Sequence, residues 1–347
     1  MHIIFYAQGI ELVGASKRII AGTVILLVYC AGEFILVILA YFLRDWRWLQ
    51  LTVAVPMIIP LIYWWPRILP DSVRWLVSRG RMDEAMTIIQ RAARINNRPL
   101  PKTLKLKFKE EEISNIQIIK QLISSRKLLI YWTIVSSNWF VIAFTYYGIK
   151  LNIGELGGDL YVSFTLVTVA ETLGYLFVSA MDLVGHKRLL MIVMVSTCVA
   201  FVISIFPILY AEKSLEWMIV LLALIGKLFI SAAFGMIFVY TGEIFPTVVR
   251  SFTLGSCTIF ARIGGICSPY LYELTDGKMK KALPLILYSV TIIIVTLLTI
   301  FLPETNRRIL PDHIKESETE ACTIDRAMKV IPSNDPDSID SEESLNL

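Results

Sequence analysis

Charge is scarce in this sequence. Only 18% of its 347 residues are Asp, Glu, Lys or Arg, where a soluble domain carries ~25%. Histidine is scarcer still: three residues, too scattered to make a metal cluster. The five cysteines (Cys30, Cys198, Cys257, Cys267 and Cys322) place no pair in an outward-facing loop. That excludes a disulfide framework. Asn-x-Ser/Thr is absent, so no N-glycosylation site is expected. Walker A, HExxH, paired CxxC and nucleophile-elbow motifs are also missing, which leaves an enzyme reading without support. Neither a cofactor nor a nucleic-acid partner is called for.

What the sequence has is long apolar runs. Hydrophobic residues make up 56% and the mean hydropathy is +0.64. A bilayer core takes ~20 residues of helix. Eight segments fit: 19–42, 48–66, 129–150, 159–181, 189–210, 217–240, 251–273 and 283–302. The runs are continuous rather than alternating, which disfavours a strand barrel. The expected fold class is an all-α polytopic membrane protein with eight transmembrane helices. Met1–Gly14 holds a short apolar piece, too short to span and unlike a signal peptide; it reads as the last turns of a helix that began earlier.

Basic residues set the orientation. The side of the 67–128 loop carries 24 Lys and Arg, and the opposite side 7. The loop and the C-terminal tail are therefore expected in the cytoplasm. Within the loop, apolar residues at 85, 88, 89, 92 and 93 have helical spacing. The chain divides into four parts: 1–66 as the remnant of a first bundle, 67–128 as a cytoplasmic loop with short helices, 129–302 as a six-helix bundle, and 303–347 as a disordered Ser/Asp/Glu-rich tail. The final Leu345-Asn346-Leu347 has the hydrophobic-x-hydrophobic form of a PDZ-domain ligand.

Four ionisable residues lie well inside the spans: Glu33, Glu171, Lys227 and Arg262. Each would cost ~2.5–3.5 kcal/mol facing lipid at mid-depth, so each should face a protein interior or a watery cavity. Internal salt bridges are the plain reading, and a polar path for a charged solute is the functional one. Lys227, Ser231, Phe234 and Phe238 share one helix face, and Phe140, Phe144 and Tyr147 share another, with Trp139 and Tyr146 beside them. Aromatic faces attract organic cations, and apolar walls with a few placed polar groups suit a small-molecule site. Arg262 sits roughly 17 Å from its helix start, flanked by Gly255, Gly264, Gly265 and Pro269.

Several motifs together resemble one family. Pro70-Asp71-Ser72-Val73-Arg74-Trp75-Leu76 resembles a P-E-S-P-R-W-L motif. Asp182-Leu183-Val184-Gly185-His186-Lys187 resembles D-R-x-G-R-[KR], and Thr241–Arg250 resembles T-[AG]-E-x-[YF]-P-T-x-x-R. Pro303-Glu304-Thr305, Tyr146-Tyr147-Gly148, Gly157-Gly158-Asp159-Leu160 and Arg44-Asp45-Trp46-Arg47 fit too. From about Glu11 to Glu316 the chain resembles the organic cation/anion/carnitine transporters of the major facilitator superfamily. Asp71, Val73 and Leu183 depart from the pattern, and Leu183 removes a cation from a gate motif.

The resemblance implies a partial major-facilitator fold, in which the eight spans are helices five to twelve of twelve and the opening piece is a helix-four stub. It implies a small organic ion as substrate, moved by alternating access at the plasma membrane. A substrate carboxylate would meet Arg262. Lys227, Tyr146, Tyr147, Phe140, Phe234 and Phe238 would line the site. Glu171 or Glu33 would balance a positive charge or serve a coupling ion such as sodium or a proton. Asp182, Arg188, Glu243 and Arg250 would form gate salt bridges. Two other readings stand beside this one: a truncated, non-transporting partner of full-length relatives, and a sugar porter.

Overall fold

The computed structural model describes residues 18–56, 58, 73, 76, 80–95, 125–152, 154, 159–210, 216–245, 247–274 and 278–305. Among them every regular element is helical: α1 (Arg18–Phe42), α2 (Trp46–Ala54), α3 (Met82–Ile95), α4 (Arg126–Leu151), α5 (Leu160–Phe177), α6 (Met181–Val184), α7 (His186–Tyr210), α8 (Glu216–Ile244), α9 (Thr247–Cys267) and α10 (Lys278–Thr299). The local signals are ordinary ones. Asp45 caps α2 by accepting from Arg47 N at 2.9 Å, and Asp159 caps α5 by accepting from Tyr161 N at 2.8 Å and Val162 N at 3.1 Å. Hydroxyls inside the helices return to their own backbone: Thr165 donates to Tyr161 O, Thr197 to Val193 O and Thr296 to Ile292 O. In an apolar medium that satisfies a group which water would otherwise serve.

Among the described residues six helices are long and apolar enough to cross a membrane: α1, α4, α5 with its 3-10 extension, α7, α8 and α10. Two of the eight expected segments are not among these six. In the 48–66 segment regular helix ends at Ala54, two residues before Pro56, and most of the segment beyond Pro56 lies outside the described residues. In the 251–273 segment α9 is more polar, carrying Arg250, Ser251, Ser256 and Arg262. It gives way to a 3-10 turn, Pro269–Glu273, because Pro269 has no N–H to continue the ladder. The loop helix α3 has Ala85 buried and Ile88, Ile89 and Ala93 half-buried, with Ala92 exposed. The Pro70–Leu76 motif (apart from Val73 and Leu76), most of the tail and Leu345–Leu347 lie outside the described residues.

The bundle is built around α4, which packs on α9, α10 and α8; α7 packs on α8 and α10, α5 on α8, and α1 on α5. The α4–α9 crossing depends on Gly264, since a Cβ there would collide with the Phe140 carbonyl and lie 3.1 Å from Phe144 N. Trp139, Ile142, Leu190, Phe201, Tyr240, Phe245 and Tyr288 fill the core. Outward faces carry exposed apolar side chains such as Val28, Ile35, Phe206, Ile293 and Leu297, the pattern of a surface that meets lipid.

At one end of the bundle α7 and α10 are bolted to each other. Glu304 accepts from the α7 amides of Lys187 at 3.1 Å and Arg188 at 3.3 Å, a carboxylate on a helix N-terminus. Lys187 Nζ returns to carbonyls just past the end of α10, Ile300 at 2.6 Å and Leu302 at 2.7 Å. Gly185 makes this possible: its φ is +108°, and a Cβ would sit 3.1 Å from the Glu304 carboxylate. We expect Gly185→Ala to lose about 1–3 kcal/mol through the disfavoured backbone. Gly242→Ala, in a helix with open space around it, should lose nothing. Thermal unfolding of the two variants side by side checks this, and equal melting temperatures would sink it.

Candidate functional site

Four helices turn titratable residues toward a common centre. Helix α1 supplies Tyr29 and Glu33, one turn apart; α4 supplies Tyr146 and Lys150, also one turn apart. Helix α5 supplies Thr168, Glu171 and Tyr175 on one stripe, and α8 supplies Lys227. Glu171 is the hub. Its Oε1 accepts from the Tyr146 hydroxyl and from Tyr175 OH at 3.0 Å. Its Oε2 takes Lys150 Nζ at 3.3 Å and Lys227 Nζ at 3.4 Å. Lys150 also pairs with Glu33 and reaches Tyr29 OH and Tyr146 OH, each at 3.2 Å. Thr168 donates to the other Glu33 oxygen at 3.4 Å.

The cluster holds two carboxylates and two ammoniums, so it is neutral as a whole. Glu171 and Lys227 are 0% exposed. Coulomb attraction at this separation is strong where water is absent, and it offsets a desolvation penalty of several kcal/mol per ion. Lys150 and Lys227 are nevertheless unlike. Lys150 has more acceptors than its three protons can use, whereas Lys227 Nζ, 3.4 Å from Glu171 Oε2, makes no hydrogen bond among the described residues and lies 3.2 Å over the centre of the Tyr146 ring. That contact is a cation–π interaction in a dry setting, where it is strongest.

Aromatic rings continue from this centre. Tyr146 stacks on Phe234 at 4.7 Å and meets Tyr147 edge-on at 5.1 Å. Phe234 meets Phe238 at 5.6 Å, and Phe238 meets Trp139 at 4.5 Å. Phe140 stacks on Phe144 at 5.6 Å. Phe140 also borders a cavity of about 200 Å³ between α4 and α9, lined with Trp132, Thr133, Ser136, Ser137, Val141 and Phe260. Ligand pockets usually exceed ~300 Å³, so this cavity by itself takes only a small group.

The structure brings together Glu33, Glu171, Lys227, Tyr146 and Phe234, as the sequence suggests. The fourth charge is placed differently. Arg262 is exposed and apart from the cluster, and its Nη1 reaches Tyr147 OH at 3.4 Å. Lys150, the last residue of the expected 129–150 span and one of the seven basic residues counted on the side opposite the loop, joins the cluster instead. Its position one turn beyond Tyr146 was the available signal, as was the Glu-x-x-x-Tyr spacing that brings in Tyr175.

The gate residues also rearrange. Glu243 pairs with His186, and Thr305 Oγ1 donates to the same carboxylate at 2.7 Å. The Arg188 side chain is exposed and makes no ion pair among the described residues; its backbone amide binds Glu304. Arg250 Nη2 donates to Phe245 O at 3.4 Å. Asp182 is placed in α6 by its backbone alone, its side chain lying outside the described part. His186, Lys187, Glu304 and Thr305 are thus the residues at this end that sequence reasoning missed as a set.

A family profile described as "Sugar (and other) transporter" matches residues 16–313. The chain is 33% identical over 328 residues to the organic cation transporter protein of Drosophila melanogaster, covering 91% of this chain and 58% of that protein. It is 33% identical over 326 residues to human organic cation/carnitine transporter 2, covering 91% and 56%. It therefore spans about half the length of the curated relatives it matches. Among solved structures, the major facilitator superfamily proton:xylose symporter XylE superposes with a TM-score of 0.65 at 17% identity, covering 92% of this chain and 70% of that one. This likeness establishes the fold.

The buried pair makes a stability prediction. Lys227→Ala should cost about 3–5 kcal/mol, because it leaves the Glu171 and Glu33 carboxylates to share the single ammonium of Lys150, one buried negative charge in excess. The double replacement Lys227→Met with Glu171→Leu should lose clearly less. Unfolding in detergent tests this; a double variant worse than the single would overturn the assignment of the pair as mutually dependent.

Proposed function

We propose, for a chain that belongs to the sugar (and other) transporter family, that it serves the transmembrane movement of small organic ions by alternating access. The substrates would be carnitine-like zwitterions, organic anions or organic cations. The observation that carries this reading is the fully buried Glu171–Lys227 pair under the Tyr146 ring, at the meeting of four helices. A pair of that kind is poorly explained by stability alone, since apolar residues of similar size would do as well or better. Within membrane helices such charges mark solute or ion pathways.

In this reading Tyr146, Tyr147, Phe234, Phe238 and Phe140 hold the apolar or quaternary part of the substrate. Arg262 meets a carboxylate. Its guanidinium is exposed, makes no ion pair among the described residues and lies beside Tyr147. An arginine there suits bidentate recognition of a carboxylate. Glu171 and Glu33 balance positive charge on the substrate, and Glu243, Asp182, Arg188 and Arg250, joined by His186, act at the end that opens and closes. The names of the relatives support organic cations and carnitine as the substrate class. The family resemblance suggests the plasma membrane, and the distribution of basic residues a C-terminus in the cytoplasm.

The test is uptake of labelled carnitine, an organic anion and tetraethylammonium in cells expressing this chain, with surface abundance measured alongside and runs made with and without a sodium gradient. Saturable uptake of at least one is the expected outcome. Arg262→Asp should shift preference from anions towards cations by about tenfold or more, the worth of one charge-assisted contact. Uptake that ignores the substitution would remove Arg262 from the site. Surface expression without uptake of any of the three would reject transport by this chain alone.

A further inference from the structure

The Lys150 ammonium is held by a cage that is more than an ion pair. Around its Nζ stand the Glu33 and Glu171 carboxylates, the Tyr29 and Tyr146 hydroxyls at 3.2 Å, and the faces of the same two tyrosines at 5.0 and 5.3 Å from centre. Carboxylates, hydroxyls and ring faces are the groups that bind a small ammonium head. Lys150 sits one residue before the end of α4. It enters the cage from the helix end by a flexible aliphatic stem, which long cationic side chains do readily.

The charge count gives the cage its valence. If Lys150 swings out, Glu33 and Glu171 remain, with Lys227 against Glu171 Oε2. Two negative charges and one positive leave a net charge of one negative unit, which a single monocation neutralises. Lys227 does not itself fill the vacancy: it is 0% exposed and fixed over the Tyr146 ring on the α8 side.

We propose that Glu33, Glu171, Tyr29 and Tyr146 form a binding site for a small organic ammonium group, which Lys150 occupies as a tethered internal cation, and that an external ammonium binds by displacing it. This deepens the transport reading above and rests on it for its role. The site itself is a matter of equilibrium binding. A tethered ligand acts at a local concentration on the order of millimolar or more, so an external amine meets an occupied site. Displacement also breaks the Glu33–Lys150 pair, the ionic link between α1 and α4. Cation entry would thereby release α1.

The test uses the whole chain in lipid nanodiscs, with ethylammonium chloride as the probe and sodium chloride at equal ionic strength as the control. Wild type, Lys150→Met and Lys150→Met with Glu33→Gln are compared by melting temperature. Emptying the cage should lower the melting temperature of Lys150→Met, and ethylammonium should raise it saturably, as binding to the folded state requires. Half-saturation should fall about tenfold or more below that of wild type, since the tether no longer competes. The added Glu33→Gln should abolish the effect. A Lys150→Met protein obtained folded only when ethylammonium is present throughout purification would count equally in favour. Two results overturn the proposal: Lys150→Met showing no saturable response to ethylammonium beyond the sodium control, or failing to fold with and without it. Because uptake is not read, the two proposals fail separately. A chain that binds the amine but carries nothing refutes transport alone, and one that carries substrate while Lys150→Met ignores the amine refutes only the cage.

Discussion

A carboxylate sealed among membrane helices needs a cation, and much that is particular about this molecule depends on how Glu171 finds one. Lys227 meets it from α8 and Lys150 from α4, while Tyr146 and Tyr175 supply hydroxyls to its other oxygen. Three helices are thereby held at fixed rotation, because turning any of them by a single residue would carry a charge toward lipid at several kcal/mol. Apolar packing alone would tolerate such slippage, since one face of Leu, Ile and Val is much like the next.

The fourth helix is attached differently. α1 packs on α5 through Leu26, Cys30 and Tyr175, and its charge Glu33 reaches α4 by way of Lys150. An ion pair between flexible side chains at the edge of a cluster is exchangeable, where a fully enclosed pair is not. The arrangement therefore combines a fixed part, in which Glu171 and Lys227 are shut away together, with a part whose charges have other partners within reach. A transporter of the major facilitator kind requires such a contrast, as one set of helices must move against another.

The opposite end of the bundle uses the same physics in a more static form. Glu304 on the α7 amides and Lys187 on the carbonyls that follow α10 satisfy backbone groups at and beyond helix ends. Gly185 lets the two ends approach. Tyr240 adds a hydrogen bond to Pro303 O at 2.7 Å. The Glu243–His186 contact lies beside this joint, which puts a titratable pair where the chain links three helices.

How much of this was legible in the sequence divides along a physical line. Continuous apolar runs announce helices, because in lipid the backbone has no other way to satisfy itself. Accordingly α1, α4, α5, α7, α8 and α10 fall close to their expected spans. Pro269 ended α9 for a reason also visible in the sequence. The intramembrane charges Glu33, Glu171 and Lys227 stood out by their rarity, and the aromatic stripe by its spacing. Which charges meet was another matter. It depends on the rotation and depth of each helix against the next, and on the reach of a side chain. The count of basic residues put Lys150 on the outer side because it ends the 129–150 span, yet its stem carries the ammonium into the cluster. Arg262 looked central because its Cα is deep, yet its side chain is exposed and meets Tyr147 rather than a carboxylate among the described residues. Composition and periodicity determine that there are helices and that a few charges are buried among them, since both are properties of single segments. The pairing of those charges is a property of several segments at once, and only their packing decides it.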